Sequence, residues 1–167
     1  HPDLAANVWT NPGEIPGNGV DDDGDGLVDD VHGWDFVNND PIPDDIWGHG
    51  TACAGIIAAV QDNNLGVTGI APLAQIVSLK ACNDSGYLLD SYVVPALIYA
   101  ADRGCQVISM SFYGDQVTPA ERAAIDYCWS HGCLPVAAAG NDAQVFPYYP
   151  GAYEHTLAVA AHNGSDA

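Results

Sequence analysis

The pattern of apolar and polar positions changes once along the chain, close to Trp47. Residues 1–48 are rich in Asp, Asn, Gly and Pro and show little periodicity, which predicts long loops ordered by something other than an apolar core. After Trp47, short β-branched runs alternate with Ala-rich segments of helical length. We therefore predict an acidic loop region at 1–48 that precedes an α/β core at 49–167.

Seven segments beyond Trp47 have the spacing of regular elements. A helix is expected from Pro119 because Thr118 can cap it and Glu121 completes a capping box. Short apolar strands that alternate with helices predict a parallel sheet covered on both faces, with ligand chemistry at the carboxyl ends of the strands. The expected helices lie at about 49–60, 88–103 and 119–131, and the expected strands at about 76–81, 107–112, 134–139 and 156–161.

The charge of the chain is strongly one-sided. Its 167 residues include 22 acidic side chains but only three basic ones, Lys80, Arg103 and Arg122, for a formal net charge of -19. Nucleic acid is excluded as a partner because no basic patch exists to neutralise phosphates. Twelve of the acidic residues lie at or before Asp45. Such a cluster repels itself unless cations lie within it, so the asymmetry indicates metal in the first third of the chain.

The loop from Asp21 to Asp30 has the chemistry of a calcium site. Carboxylates stand at alternate positions before Gly26, as in loops that surround a hard cation with oxygen ligands. Position twelve, where an EF-hand has glutamate, is His32, so the loop is EF-like without being an EF-hand. A solvated acidic loop is the alternative. The expected ligands are the side chains of Asp21, Asp23, Asp25 and Asp30, the carbonyl of Leu27, and Asp29 directly or through water.

Apolar runs and cysteines bear on the compartment. No apolar run approaches the length that crosses a bilayer, so no membrane span is expected. The five cysteines lack the paired spacing of a zinc site, and their odd number leaves at least one thiol without an intrachain partner. High acidity together with several cysteines favours a secreted, extracellular or lumenal setting, where calcium is abundant and disulfides persist.

Three segments, in the same order, resemble the subtilisin-like serine proteases (the subtilase or peptidase S8 family). The stretch W-G-H-G-T-A-C-A-G from Trp47 is similar to the histidine box of that family, and V-I-S-M-S from Val107 is similar to the strand that borders its specificity pocket. The stretch V-A-A-A-G-N from Val136 is similar to the strand that ends in the oxyanion-hole asparagine. The resemblance spans essentially the whole chain. It implies a subtilisin-like three-layer α/β fold with a parallel sheet, incomplete and preceded by calcium-binding loops.

The resemblance implies roles for the matched residues. His49 would open a buried helix and act as the general base of an Asp/His/Ser triad, because the positive end of the helix dipole disfavours imidazolium and keeps a neutral base available. Asn141 would donate to the oxyanion of the tetrahedral intermediate, and would face the same crevice as His49. The residues that would contact a peptide substrate are Ser111, Phe112 and Tyr113, of which the last two stand where the family has Leu-Gly, and a tyrosine there can block backbone pairing with the peptide.

A second calcium site and a pattern of thiols are also implied by the resemblance. A polar loop that closes a helix is the alternative to this second site. Cys53, one helical turn after His49, would be a free structural thiol. If Cys53 is free, a disulfide between Cys105 and Cys133 is expected, because each opens a strand that the family pairs side by side. The second site would take side chains from Asp3 and Asn63 and backbone oxygens from Val60, Leu65 and Val67.

Two members of the triad are missing from the chain. The family order is Asp, His, Ser, so the aspartate strand is expected before His1 and the serine turn beyond Ala167. In one interpretation the chain is a segment of an active, calcium-dependent serine endopeptidase, whose partners are a peptide or protein substrate and the remainder of the protease or a propeptide. In the other it is a catalytically inactive module with a calcium-stabilised structural, assembly or adhesion role. The sequences that flank His1 and Ala167 discriminate between the two.

Overall fold

The computed structural model describes residues 1–162, and the chain divides into two compact units. The first unit is His1–Tyr92 and the second begins at Val93. The helix Asp90–Asp102 starts at the end of the first unit and continues in the second. The division into a loop region at 1–48 and a core at 49–167 stays a prediction.

The first unit is built around two short parallel strands. Strand β1 pairs with β2 in the register Gly33↔Ser78, Trp34↔Leu79 and Asp35↔Lys80. Gly33 has φ 120 and approaches so closely that an added Cβ would lie 1.9 Å from the Ser78 carbonyl oxygen, so only glycine fits there. The elements of this unit are a 3-10 helix at Ala5–Asn7, β1 at Gly33–Asp35, α1 at His49–Ala58 and β2 at Ser78–Lys80.

Strand β1 is a correction to the expectation of loops throughout 1–48. Its sequence, Gly-Trp-Asp, has one apolar residue and therefore no alternating pattern to detect. All three residues are nevertheless buried. Tertiary contacts with β2 decide its conformation, which local sequence alone does not signal.

The second unit contains three parallel strands in the order β3-β4-β5. Helix α3 contacts β4, and the helix buries Ala124, Ile125 and Cys128. Every paired strand within residues 1–162 is parallel to its neighbour, so the parallel α/β prediction is confirmed. The elements of this unit are α2 at Asp90–Asp102, β3 at Val107–Met110, α3 at Pro119–Ser130, β4 at Leu134–Ala138 and β5 at Leu157–Val159.

The start of α3 matches the capping prediction in detail. The hydroxyl of Thr118 accepts a hydrogen bond of 3.1 Å from the backbone N–H of Glu121, and Pro119 is the first helical residue. Proline costs nothing at this position because its missing N–H would have no partner within the helix. The cap therefore fixes where α3 begins and which face it turns towards β4.

The cysteines are all free, and the expected disulfide between Cys105 and Cys133 is absent from the structure. The Cys133 thiol instead contacts the backbone carbonyl oxygen of Cys105. The register explains the error: Leu134 pairs with Val107, so Cys133 lies opposite Gln106 and one position out of step with Cys105. Cys53 is free, as expected, although it is half-buried. Burial raises the pKa of Cys128 to about 12, which keeps that thiol protonated.

A buried ion pair joins β1 to β2. The Lys80 ammonium lies 2.9 Å from a carboxylate oxygen of Asp35, whose side chain is 1% exposed. Burial acts to raise the pKa of Asp35, but hydrogen bonds from Asn38, Lys80 and Val37 outweigh it and hold that pKa below the ordinary 3.8. Asp35 is therefore ionised at neutral pH and balances the charge of Lys80.

We predict that Asp35→Asn destabilises the protein by about 3 kcal/mol, because it leaves the Lys80 charge without its buried partner. Urea unfolding at pH 7 measures the loss. Asp84→Asn is the matched control: Asp84 also contacts Lys80, at 3.4 Å, but its side chain is 65% exposed. The control should leave the free energy of unfolding unchanged. Equal losses in the two variants would contradict the assignment of the buried pair.

Candidate active site and metal centre

His49 is the first residue of α1 and is exposed to solvent. Gly48 precedes it in the left-handed conformation with φ 85. The cap comes from Asp45, whose two carboxylate oxygens accept hydrogen bonds of 2.7 Å each from the backbone N–H groups of Gly48 and Thr51. A carboxylate at this end satisfies N–H groups that lack helical partners and opposes the positive end of the dipole.

Asp45 is a site residue that sequence analysis missed. Partial desolvation acts to raise its pKa, but hydrogen bonds from Thr51, Gly48 and Trp47 prevail and place that pKa below 3.8. The available signal was an Asp six residues before a helical Thr, a spacing that side-chain capping rules do not cover because the cap lies outside the usual first position.

The surroundings of His49 are partly aromatic. The Cys53 sulfur lies 3.8 Å from the Nε2 atom of His49, which places the thiol one turn along the same helix face. Trp47 is 61% exposed, and its ring lies on Gly86, where an added Cβ would be 1.4 Å from a ring carbon. Gly86 thus allows the loop before β-turn Asn83–Tyr87 to seat the indole beside the start of α1.

The second unit gathers the other predicted residues at one edge of its sheet. Ser111, Phe112 and Tyr113 follow β3, and Asn141 follows β4. Because β3 and β4 are parallel neighbours, these segments leave the sheet at the same edge. Ser111 and Asn141 are exposed, whereas Phe112 and Tyr113 are half-buried. His49 belongs to the first unit, so its position across a shared crevice from Asn141 stays a prediction.

The acidic loop forms a compact carboxylate cluster in the first unit. One carboxylate oxygen from each of Glu14, Asp21 and Asp23 lies within 4.8 Å of the others, and the same holds for Asp23, Asp25 and Asp30. Asp23 belongs to both triads. Asp30 has no exposed surface and accepts a hydrogen bond of 2.8 Å from the Asn11 side chain. Four predicted carboxylates are thus brought together.

Glu14 is a member of the cluster that sequence analysis missed. It lies seven residues before Asp21, outside the alternating pattern, and is buried. Its carboxylate accepts hydrogen bonds from the backbone N–H groups of Asp22, Asp23 and Asp29, and these bonds shape the loop. Asp29 is not in either triad: it accepts hydrogen bonds from the backbone of residues 17–19. Leu27 donates its N–H to Asp25.

The donor set fits a hard divalent cation. Within residues 1–162, the carboxylate groups close enough to share an ion contain oxygen atoms alone, without sulfur or imidazole. Calcium takes six to eight such oxygens, whereas zinc prefers nitrogen and sulfur. Buried Asp30 beside further carboxylates is the specific observation, because ionised groups this close need a cation among them.

The second predicted calcium loop is also assembled, with donors turned inward. Asp3 is buried and accepts hydrogen bonds from the Asn63 side chain at 2.7 Å and the Val67 N–H at 2.9 Å. These two bonds, the Asn63 bond first, hold the pKa of Asp3 below 3.8. Leu65 donates to the Asn63 side-chain oxygen, and Val60 donates to the Asp3 carbonyl. The five residues therefore lie together as a hydrogen-bonded unit.

A model of the Subtilase family matches residues 1–167. This chain belongs to the subtilase family. The family prediction made from the histidine box and the two strand motifs is therefore confirmed.

Individual subtilases support the assignment. Thermitase of Thermoactinomyces vulgaris is 43% identical over 166 residues, which are 99% of this chain and 52% of thermitase. Thermophilic serine proteinase of Bacillus sp. (strain AK1) is 41% identical over 131 residues, 78% of this chain and 33% of that protein. The subtilase chain thus spans about half the length of thermitase and less of the second relative.

Solved structures give the same result for the fold. S41 Psychrophilic Protease is similar with a TM-score of 0.58 and 32% identity, over 64% of this chain and 36% of that one. Sphericase is similar with a TM-score of 0.55 and 31% identity, over 63% of this chain and 36% of that one. The predicted subtilisin-like α/β fold is confirmed.

We predict that Asp45→Ala destabilises the subtilase chain by about 1 kcal/mol through loss of the α1 cap. The pKa of Asp45 is lowered, so its contribution is full above pH 3.8 and is lost as the pH falls through the folded-state pKa. The difference between variant and wild type should therefore be constant from pH 5 to 7 and shrink in stronger acid. Denaturant unfolding across this range measures it.

Asp44→Ala is the control for this prediction, since Asp44 is the exposed neighbour and contributes its backbone N–H to Ile42. An Asp44 variant that loses as much stability as the Asp45 variant would contradict the cap.

Proposed function

We propose that this chain is the histidine-bearing segment of a calcium-dependent serine endopeptidase. In the full-length protein an Asp/His/Ser triad hydrolyses peptide bonds, with the aspartate and the serine supplied from outside these residues. The observation that carries the proposal is the family match over residues 1–167 together with His49 as the exposed first residue of a capped helix.

His49 would act as the general base. The nucleophilic serine hydroxyl gives its proton to the imidazole as it attacks the scissile carbonyl, and the imidazolium then protonates the leaving amine. Fixing the base on the first turn of a helix limits its motion, because the Asp45 cap holds the backbone on both sides of His49. The half-buried Cys53 behind it is a packing partner and not a nucleophile.

Asn141 would stabilise the oxyanion. The tetrahedral intermediate places negative charge on the former carbonyl oxygen, and an amide N–H donor aimed at that charge lowers the barrier. Its exposure at the carboxyl edge of β3 and β4 supports this role, since substrates approach α/β sheets from that edge. Ser111, Phe112 and Tyr113 would lie along the peptide on the neighbouring strand end.

Calcium would occupy the carboxylate cluster and hold the acidic loop folded. Its chemistry there is structural, because a divalent cation neutralises neighbouring carboxylates. The proposed ligands are Glu14, Asp21, Asp23, Asp25 and Asp30, with Leu27 offering its carbonyl and Asp29 ordering the adjacent turn. We propose a second, weaker site at Asp3 and Asn63, with carbonyls of Val60, Leu65 and Val67, which requires the Asn63 amide to turn its oxygen towards the ion.

The partners follow from the family and from the surface. The substrate is a peptide or protein, and the remainder of the protease covers apolar surface that this segment exposes, including Ile56 at 66% and Leu73 at 92% exposure. None of the helices in the described part of the chain is long and apolar enough to span a membrane. We propose a secreted or lumenal location because calcium is abundant there.

The test of catalysis is His49→Ala in the complete protease. Cleavage of a chromogenic peptide should fall by at least about a thousandfold, because the base that activates the nucleophile is lost. His131→Ala is the matched control, since His131 is exposed and precedes the amino end of β4, away from the proposed site. Unchanged cleavage in the His49 variant would contradict the proposal, and a wild-type protein without activity would favour the inactive calcium-stabilised module.

The test of the metal is thermal unfolding of the chain with calcium and with a chelator. Calcium at about a hundred times its Kd should add about 2.7 kcal/mol of stability, since it binds the folded state alone. Asp23→Ala combined with Asp25→Ala should remove most of this increase, and Glu14→Gln should weaken it. Asp62→Ala is the control, because Asp62 lies in a different loop.

An unfolding midpoint that does not respond to calcium in the unmodified chain would show that the acidic loop is a solvated surface. A response that survives the double substitution would move the metal elsewhere.

A further inference from the structure

Three aromatic rings meet at the carboxyl edge of the second unit. The Tyr148 ring packs edge-on against Tyr113, with centroids 4.9 Å apart, and against Phe146, with centroids 5.6 Å apart. Tyr113 follows β3, and Tyr148 lies in the segment between β4 and β5. The Tyr148 ring is therefore enclosed by aromatic neighbours on two sides although Phe146 itself is 50% exposed.

The Tyr148 ring also lies directly on the backbone at the end of β4. An added Cβ at Gly140 would be 2.5 Å and 2.9 Å from two of its ring carbons, closer than real Cβ atoms come. Gly140 has φ 104, which itself favours glycine. Asn141 is the next residue. The ring consequently fills the space between the ends of β3 and β4 beside the proposed oxyanion donor.

Two further contacts hold the ring in this place. The Tyr148 hydroxyl hydrogen-bonds to the Asp142 side chain. On the other side, Tyr149 and Gly114 exchange both backbone hydrogen bonds, of 2.9 Å and 2.8 Å, which ties the segment to the chain after β3. Anchors at both ends leave the ring little freedom to swing away.

From this geometry we propose that Tyr148 is a specificity-determining residue that limits the substrate side chain before the scissile bond to small groups such as those of Gly, Ala and Ser. The inference rests on the proposed function. A carbonyl whose oxygen faces Asn141 belongs to a residue whose side chain begins two bonds away from that oxygen. That side chain must enter the space between the β3 and β4 ends, where the Tyr148 ring leaves no room for a large group.

The experiment compares the complete protease with its Tyr148→Ala and Tyr148→Phe variants on peptides that differ only in the residue before the scissile bond: Ala, Leu or Phe. Wild type should cleave the Ala peptide with a kcat/KM at least about tenfold above the Phe peptide. Tyr148→Ala should raise kcat/KM for the Phe peptide by at least about thirtyfold and change the Ala peptide little. Tyr148→Phe keeps the ring and loses the Asp142 contact, so it should retain the wild-type preference. Tyr87→Ala, an exposed tyrosine of the first unit, is the control.

Wild-type protein that cleaves the Phe peptide as well as the Ala peptide would overturn the inference without any variant, and would leave the proposed function intact. The same holds if a folded Tyr148→Ala variant, verified by circular dichroism, keeps the wild-type preference. Failure of every protein to cleave any of the peptides would overturn the proposed function and this inference together.

Discussion

The crowding of carboxylates around Asp23 is the constraint on which the acidic region depends. Two unit charges 4 Å apart repel by roughly 4 kcal/mol at the effective dielectric of a protein surface, and Asp23 takes part in two such triads. The chain has three basic residues, and Lys80 is already paired with buried Asp35. Positive charge must therefore come from outside the chain. A bound cation makes the folded form of residues 11–30 accessible, and the buried Asn11, Glu14 and Asp30 show that this loop is built inward around it.

The same use of carboxylates recurs where the chemistry is proposed. Asp45 caps α1 through two backbone N–H groups and so orients the residue that would be the base. Asn141 is placed by a different device, the end of a strand that is paired on both sides with parallel neighbours. In each unit the reactive side chain is exposed at the terminus of a rigid element, which combines access for substrate with a fixed backbone.

Sequence patterns predicted the elements whose signals are local. The Thr118 cap, the alternation of short strands with helices, and the alternating aspartates are all readable over a few residues, and the structure contains each of them. Strand β1 and Glu14 escaped because only tertiary pairing makes a Gly-Trp-Asp segment a strand and brings a carboxylate from seven residues upstream into the loop. The disulfide failed for a related reason: two cysteines at strand starts are useful only in matching register, and these are offset by one residue.

Direct observation of the cation would decide the account of the acidic region. Crystals of the chain grown with calcium should show a single strong peak in the anomalous difference map among Glu14, Asp21, Asp23, Asp25 and Asp30, with oxygen distances of about 2.3–2.6 Å. That result is predicted because no other charge near these carboxylates can balance them. A map without a peak, in which the same carboxylates are ordered at their present separations, would contradict the claim that a cation holds this part of the subtilase fold together.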